Sequence, residues 1–277
     1  MPELKITTLS EDTSNHRGLL AEHGLSLLIE YKGYKVLFDT GQGPSIIANA
    51  KTMNIDLSKI NFIVLSHGHY DHTGGLYNVL RKTGKINVYA HPDALKPKYK
   101  LMPPKGYRAT GLPNSLQELK SAGAQFNLNT GVVELVPGLI LTGEIPRITE
   151  YETVNPSHYM EVNGQYVLDP MPDDQALVAV TEKGPVVITG CAHAGVVNTL
   201  HYAAKLTGSS FIYGLVGGTH LFEASSERVA CTINELKMLN PQKIAVSHCT
   251  GFKPQMEFYK AFGNKFILNN TGNVLVF

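Results

Sequence analysis

The run SHGHYDHTGG at 66–75 places His67, His69, Asp71 and His72 within six residues. Imidazole nitrogens and a carboxylate at this density suit a transition metal. Without a cation they are costly, because an unpaired buried carboxylate and mutually repelling imidazolium rings both destabilise the fold. The competing reading, a solvated histidine-rich turn, fits poorly between the apolar runs on either side. Leu65 ends a strand pattern, so the chain from Ser66 is expected to continue extended. His67, His69 and Asp71 would then share one face, with His72 turned aside as the chain enters a helix. Gly68 would leave room between the two imidazoles. Four donors so near in sequence cannot all close on one ion. Two can serve one metal and two its neighbour, with further ligands from distant segments. His193, His220 and His248 each follow an apolar strand pattern beside a glycine or turn. This matches the rule that α/β folds hold ligand groups at the carboxyl ends of strands.

The elements that must position these groups follow from periodicity. Strands are expected at 4–8, 24–29, 34–38, 60–65 and 86–90, with helices at 44–53 and 75–81. In the second half, strands are expected at 166–168, 176–181, 186–189, 211–216, 244–247 and 273–277, and helices at 196–204, 225–238 and 256–262. Strands alternating with helices indicate layered α/β units. Residues 92–156 differ, being rich in proline, glycine and lysine at their start, with a helix at 115–122 and strands at 131–136 and 139–142. They read as an insertion within a single domain spanning 1–277, either a surface loop or a small α/β cap that shapes access.

Composition narrows the function classes. The 277 residues suffice for one large domain, and 43% hydrophobic with 17% charged is an ordinary globular balance. A net charge of +1 offers no field for nucleic acid or an anionic membrane, so neither is expected as a partner. The first residues, MPELKITTLSED, lack the apolar core of a signal peptide, and no apolar run is long enough for a bilayer. Cys191, Cys231 and Cys249 are an odd, unpaired set, so free thiols in a cytoplasmic protein are expected.

SHGHYDHTGG resembles the HxHxDH signature of the metallo-β-lactamase superfamily. Asp39-Thr40-Gly41 after an early hairpin is similar to that family's first motif, and SHCTG to its last metal histidine. AEHGLSLLIE, LFDTG, GEIPR, DDQAL, GCAHAG and GGTHL together resemble a branch labelled as dihydropterin ribofuranosylaminobenzene phosphate synthase-like proteins. The resemblance implies a four-layer αββα sandwich with a dinuclear site on one edge, holding two divalent ions: zinc first, with iron or manganese as alternatives. Carried over, His67, His69 and His193 would bind one metal, and Asp71, His72 and His248 the second. Asp39 would orient a ligand histidine. Relatives place a bridging aspartate in a TGD segment. This chain has TGCAH, which puts Cys191 there and leaves Asp174 as the nearest carboxylate alternative.

The expected function is metal-dependent hydrolysis of a small phosphorylated, phosphodiester or ester substrate by a metal-bound hydroxide. The alternatives are a bond-forming step on a pterin or ribofuranosylaminobenzene phosphate, of methanopterin-like biosynthesis, and a metal- or ligand-binding protein without turnover. Asp71 would anchor metal and accept a proton. His220 would contact substrate or donate a proton, or simply cap its strand. Arg147 and Lys253 are candidate phosphate contacts. Cys191 reads by default as an apolar filler rather than a nucleophile. His23, in AEHG, is a further candidate near the site, His91 reads as structural, and His16, His158 and His201 have no supporting context. A homodimer is a further expectation.

Overall fold

The computed structural model describes residues 3–277. A seven-stranded sheet has the spatial order Val274–Val276, Leu4–Ser10, Ser26–Tyr31, Tyr34–Phe38, Phe62–Val64, Ile86–Ala90, Ala124–Leu128. A six-stranded sheet has the order Lys243–Val246, Gly214–Gly217, Gly184–Thr189, Ala176–Thr181, Leu139–Leu141, Val133–Val136. In each, the three or four strands toward one edge, which alternate with helices, run parallel.

Side chains alternate across each sheet, and three cores result. Val36, Phe38, Phe62 and Val64 of the first sheet meet Leu177, Ile188, Val216 and Ala245 of the second in the central layer. The intervening residues Leu37 and Ile63 face outward onto Ile46, Leu76, Val79 and Leu119 of the helices Ser45–Thr52, Leu76–Thr83 and Leu116–Ala122. Val187, Leu215 and Ile244 pack similarly under Leu200, Leu236 and Phe258 of Val196–Thr207, Ser226–Leu239 and Phe252–Phe262. The molecule is therefore the expected αββα sandwich. Among the described residues, no helix is long and apolar enough to cross a membrane.

The segment 92–156 is not one inserted unit. Ala124–Leu128 pairs with Ile86–Ala90 and closes the first sheet, while Val133–Val136 and Leu139–Leu141 extend the second. Their hydrophobic faces are needed by the main cores, which is why they do not stand apart. The separate cap is a four-stranded sheet of order Gln165–Leu168, His158–Val162, Lys98–Leu101, Tyr107–Ala109. It draws half its strands from beyond residue 156. The cap is pinned by the buried Lys98 ammonium, which donates to Asp169 at 2.8 Å and Asp173 at 2.9 Å.

Candidate metal centre

Every parallel strand that faces the site delivers its residue at the carboxyl edge. Asp39 follows Phe38, His67 and His69 follow Val64, Cys191 and His193 follow Thr189, His220 follows Gly217, and His248 follows Val246. The backbone there is forced. Asp39, Ala192, His220 and His248 all have positive φ (59°, 58°, 49° and 51°), a conformation costly for side chains with a Cβ and characteristic of functional sites. Close approach also demands Gly190, where a Cβ would lie 2.0 Å from Ser66 Oγ.

The extended reading of 66–71 holds only through His69. A short helix begins at Tyr70 and turns Asp71 away from His67 and His69. Gly68 packs against the Ala94 backbone rather than opening space between imidazoles, and its N–H donates to Asp173 at 2.9 Å. Two groups of donors result. In one, His67 Nε2 lies 3.1 Å from His69 Nδ1, and the His193 ring lies 4.8–4.9 Å from both. In the other, His72 Nε2 lies 3.3 Å from His248 Nε2, and Asp71 Oδ2 lies 3.8 Å and 3.4 Å from those atoms. Cys191 Sγ, 3.1 Å from His72 Nε2, belongs both with His67 and His72 and with His248 and Cys249. It sits at the junction of the groups, which a mere core filler would not require. Asp174 lies elsewhere: its Oδ2 accepts from the Ala194 N–H at 2.9 Å, and burial raises its carboxyl to about 7.

Supporting contacts fix which nitrogens face inward. Asp39 accepts from Ser66 N–H and Oγ–H, and its Oδ2 is 2.7 Å from His72 Nδ1. Asp12 Oδ1 is 2.7 Å from His248 Nδ1. Each carboxylate binds Nδ1 and so turns Nε2 of its ring toward the cluster. Burial, followed by neighbouring imidazoles, pushes His67 well below the usual histidine range, and His69 and His193 are also held far down, chiefly by burial. Three neutral rings pointing lone pairs at one another, with His193 Nε2 buried and unpartnered, is an arrangement that a cation relieves. The donor set fits a divalent metal: imidazole, carboxylate and thiol in two adjoining groups. Asp71, although buried, is held well below the usual carboxylate range by His248 and His72. His248 is raised despite burial by Asp12 and Asp71.

The remaining expectations divide. His220 reaches the cleft, its ring 4.2 Å from His193, and burial lowers it to about 3. His23 stands beside the site, its Nε2 3.4 Å from Asp71 Oδ2. Arg147 is not a free phosphate fork. Its guanidinium donates to four carbonyls, those of Glu152, Ala194, Pro170 and His193, and so props the loop that carries His193. Lys253 is not at the site either. It is exposed at the start of Phe252–Phe262 and lines a separate groove with Leu221 and Glu257. His158 was missed. Its ring packs 5.0 Å from His69 and 5.1 Å from His193, and burial lowers it to about 4. Asp12, Asp173 and Cys249 were missed as well. Asp173 and Cys249 stood inside the DDQAL and SHCTG motifs, and Glu11-Asp12 follows the first strand much as Asp39 follows the third.

A four-layer αββα sandwich with a histidine–carboxylate cluster on the carboxyl edge of both sheets is the arrangement of the metallo-β-lactamase fold. The chain belongs to this family: the Metallo-beta-lactamase superfamily profile matches residues 20–203. It is 34% identical to the 7,8-dihydropterin-6-methyl-4-(beta-D-ribofuranosyl)-aminobenzene-5'-phosphate synthase of Methanocaldococcus jannaschii, over 99% of this chain and 97% of that protein. It is 32% identical to the uncharacterized protein MJ0448 of the same organism, over 95% and 97%. Among solved structures, Tm1679, described as a metal-dependent hydrolase of the beta-lactamase superfamily, superimposes with a TM-score of 0.86 at 29% identity and 99% coverage of both chains.

Proposed function

We propose that the chain is a dinuclear metal-dependent hydrolase of a small phosphorylated, phosphodiester or ester substrate. The observation that carries this is the pair of adjoining groups whose nitrogen and sulfur atoms converge at 3.1–3.3 Å. His67, His69 and His193 would hold one ion, and Asp71, His72 and His248 the other, with Cys191 between them. Divalent ions there would polarise a phosphoryl or carbonyl oxygen and lower the pKa of water. Asp39 and Asp12 keep their histidines oriented. Asp71 anchors and is placed to accept a proton. His220 and His158 border the cleft and exclude bulk water from it. The softness of a thiol beside imidazoles favours zinc, with iron or manganese as alternatives.

Elemental analysis of untagged protein, paired with turnover of bis(p-nitrophenyl) phosphate, tests this reading. Wild type is expected to retain about two equivalents of metal, and His67→Ala to lose at least half of it with activity down 100-fold or more. Undiminished phosphodiesterase activity in metal-depleted His67→Ala would overturn it.

The near full-length likeness to a protein named as a synthase supports a second reading, in which the same centre serves bond formation on a pterin or ribosyl phosphate. Binding of such a compound by a loaded protein that hydrolyses no ester or phosphodiester would favour that reading.

A further inference from the structure

The cap sheet carries a feature that the metal donors do not explain. His158 is the register partner of Lys100, and Lys100 of Arg108, on three adjacent strands. Register partners project from the same face of a sheet. All three line the cleft that His69, Asp71 and His193 also line. The same face buries Lys98, two residues along the strand, against the body of the protein, so the row looks inward. The opposite face bears Tyr99, Tyr107 and Tyr166, packed on one another at 3.9–4.8 Å. That aromatic layer stiffens the short, exposed strands.

Strands lie about 4.8 Å apart, so the ammonium row stands one strand and the guanidinium row two strands, about 10 Å, beyond His158. The row thus steps outward from the metal centre as imidazole, ammonium, guanidinium. Among the described residues, no carboxylate lies within ion-pair distance of Lys100 or Arg108, and they are the only Lys or Arg lining this cleft. Lys100 is half-buried and Arg108 exposed, and neither has a carboxylate partner, whereas Lys98, on the same strand and face as Lys100, has two. The contrast leaves Lys100 and Arg108 directed at an anion from outside, and a planar guanidinium beside an ammonium suits a phosphate monoester.

We propose that Lys100 and Arg108 form an anion subsite that holds a second, non-reacting phosphate of the substrate on the cap, one to two strands or about 5–10 Å beyond His158. The substrate class is then a small molecule with a terminal phosphate and a separate reacting group. This deepens the hydrolase reading and rests on its placement of the reacting centre.

The test is calorimetric titration of the metal-loaded protein with ribose 5-phosphate, and with ribose as the uncharged control. Wild type, Lys100→Gln, Arg108→Gln and the double variant are compared, each checked for an unchanged unfolding midpoint. The expected result is binding of ribose 5-phosphate only, weakened about 10-fold by each single change and about 100-fold by the double, and weakened further by added salt. Arg108→Lys should recover part of the affinity. Wild-type affinity in the double variant would place the phosphate on the metals and overturn the subsite, as would no binding by wild type. Turnover of bis(p-nitrophenyl) phosphate by wild type is measured alongside. Its absence would count against the hydrolase reading, while the titration alone decides the subsite.

Discussion

Cys191 changes most in weight between sequence and structure. By type and burial it is a filler, and burial raises its thiol well above the usual value. By position it stands 3.1 Å from His72 Nε2 and close to His248 and Cys249. A bound cation would reverse the thiol's preference, because a coordinating thiol loses its proton. Cobalt(II)-substituted protein is therefore expected to show a sulfur-to-cobalt charge-transfer band that Cys191→Ser removes while most of the metal stays bound. A full-strength band in Cys191→Ser would assign the sulfur to Cys249 instead. Arg147 teaches the converse lesson. Its type suggested phosphate, but its partners are backbone carbonyls, and only those partners define its role.

At the scale of elements, the cap depends on one buried triad. Burial pulls the Lys98 ammonium down, but Asp173 and Asp169 outweigh it and hold it above its ordinary 10.5. A base whose pKa rises on folding contributes stability that is complete below about 10.5 and is lost as pH climbs through the folded value. Chemical denaturation across pH 9–12 should therefore show wild-type stability falling above about 10.5. Lys98→Met should remove that component and cost about 3–5 kcal/mol at pH 7, since it strands two buried carboxylates. A loss below about 1 kcal/mol would mean the cap is held by other contacts. Strands such as Tyr34–Phe38 and Ala176–Thr181 were readable because near-continuous apolar runs are local signals. Of the cap strands only the run 166–168 was readable; Lys98–Leu101 and Tyr107–Ala109 are short and carry polar residues, and are strands only by virtue of their partners.

For the whole molecule, the candidate ligands come from both sheets. His67–His72 lie on the first, and His193 and His248 follow strands of the second. A metal there would clamp the two halves of the sandwich. Ion binding at 100 times its Kd adds about 2.7 kcal/mol to stability. Chelation should accordingly lower the unfolding midpoint by about 5–10 °C, and readdition of zinc should restore it. A midpoint unmoved by complete removal of metal would contradict such a clamp.

The αββα order followed from the family resemblance, and the HGHYDH run, the strand-end histidines and the alternation of strands with helices were all present in the chain as written. They are short-range facts: residue type, spacing, and the alternation of apolar residues that decides which strands are buried. Which lone pairs meet is a long-range fact. His72 reaches His248 across 176 positions of sequence and Cys191 across 119. His158 joins them from a cap strand, and Asp12 from beyond the first strand. Those encounters are set by sheet packing, register and backbone turns such as the positive φ at His248, which no local pattern specifies. Donor types follow from residue identity; their convergence into one centre follows only from folding.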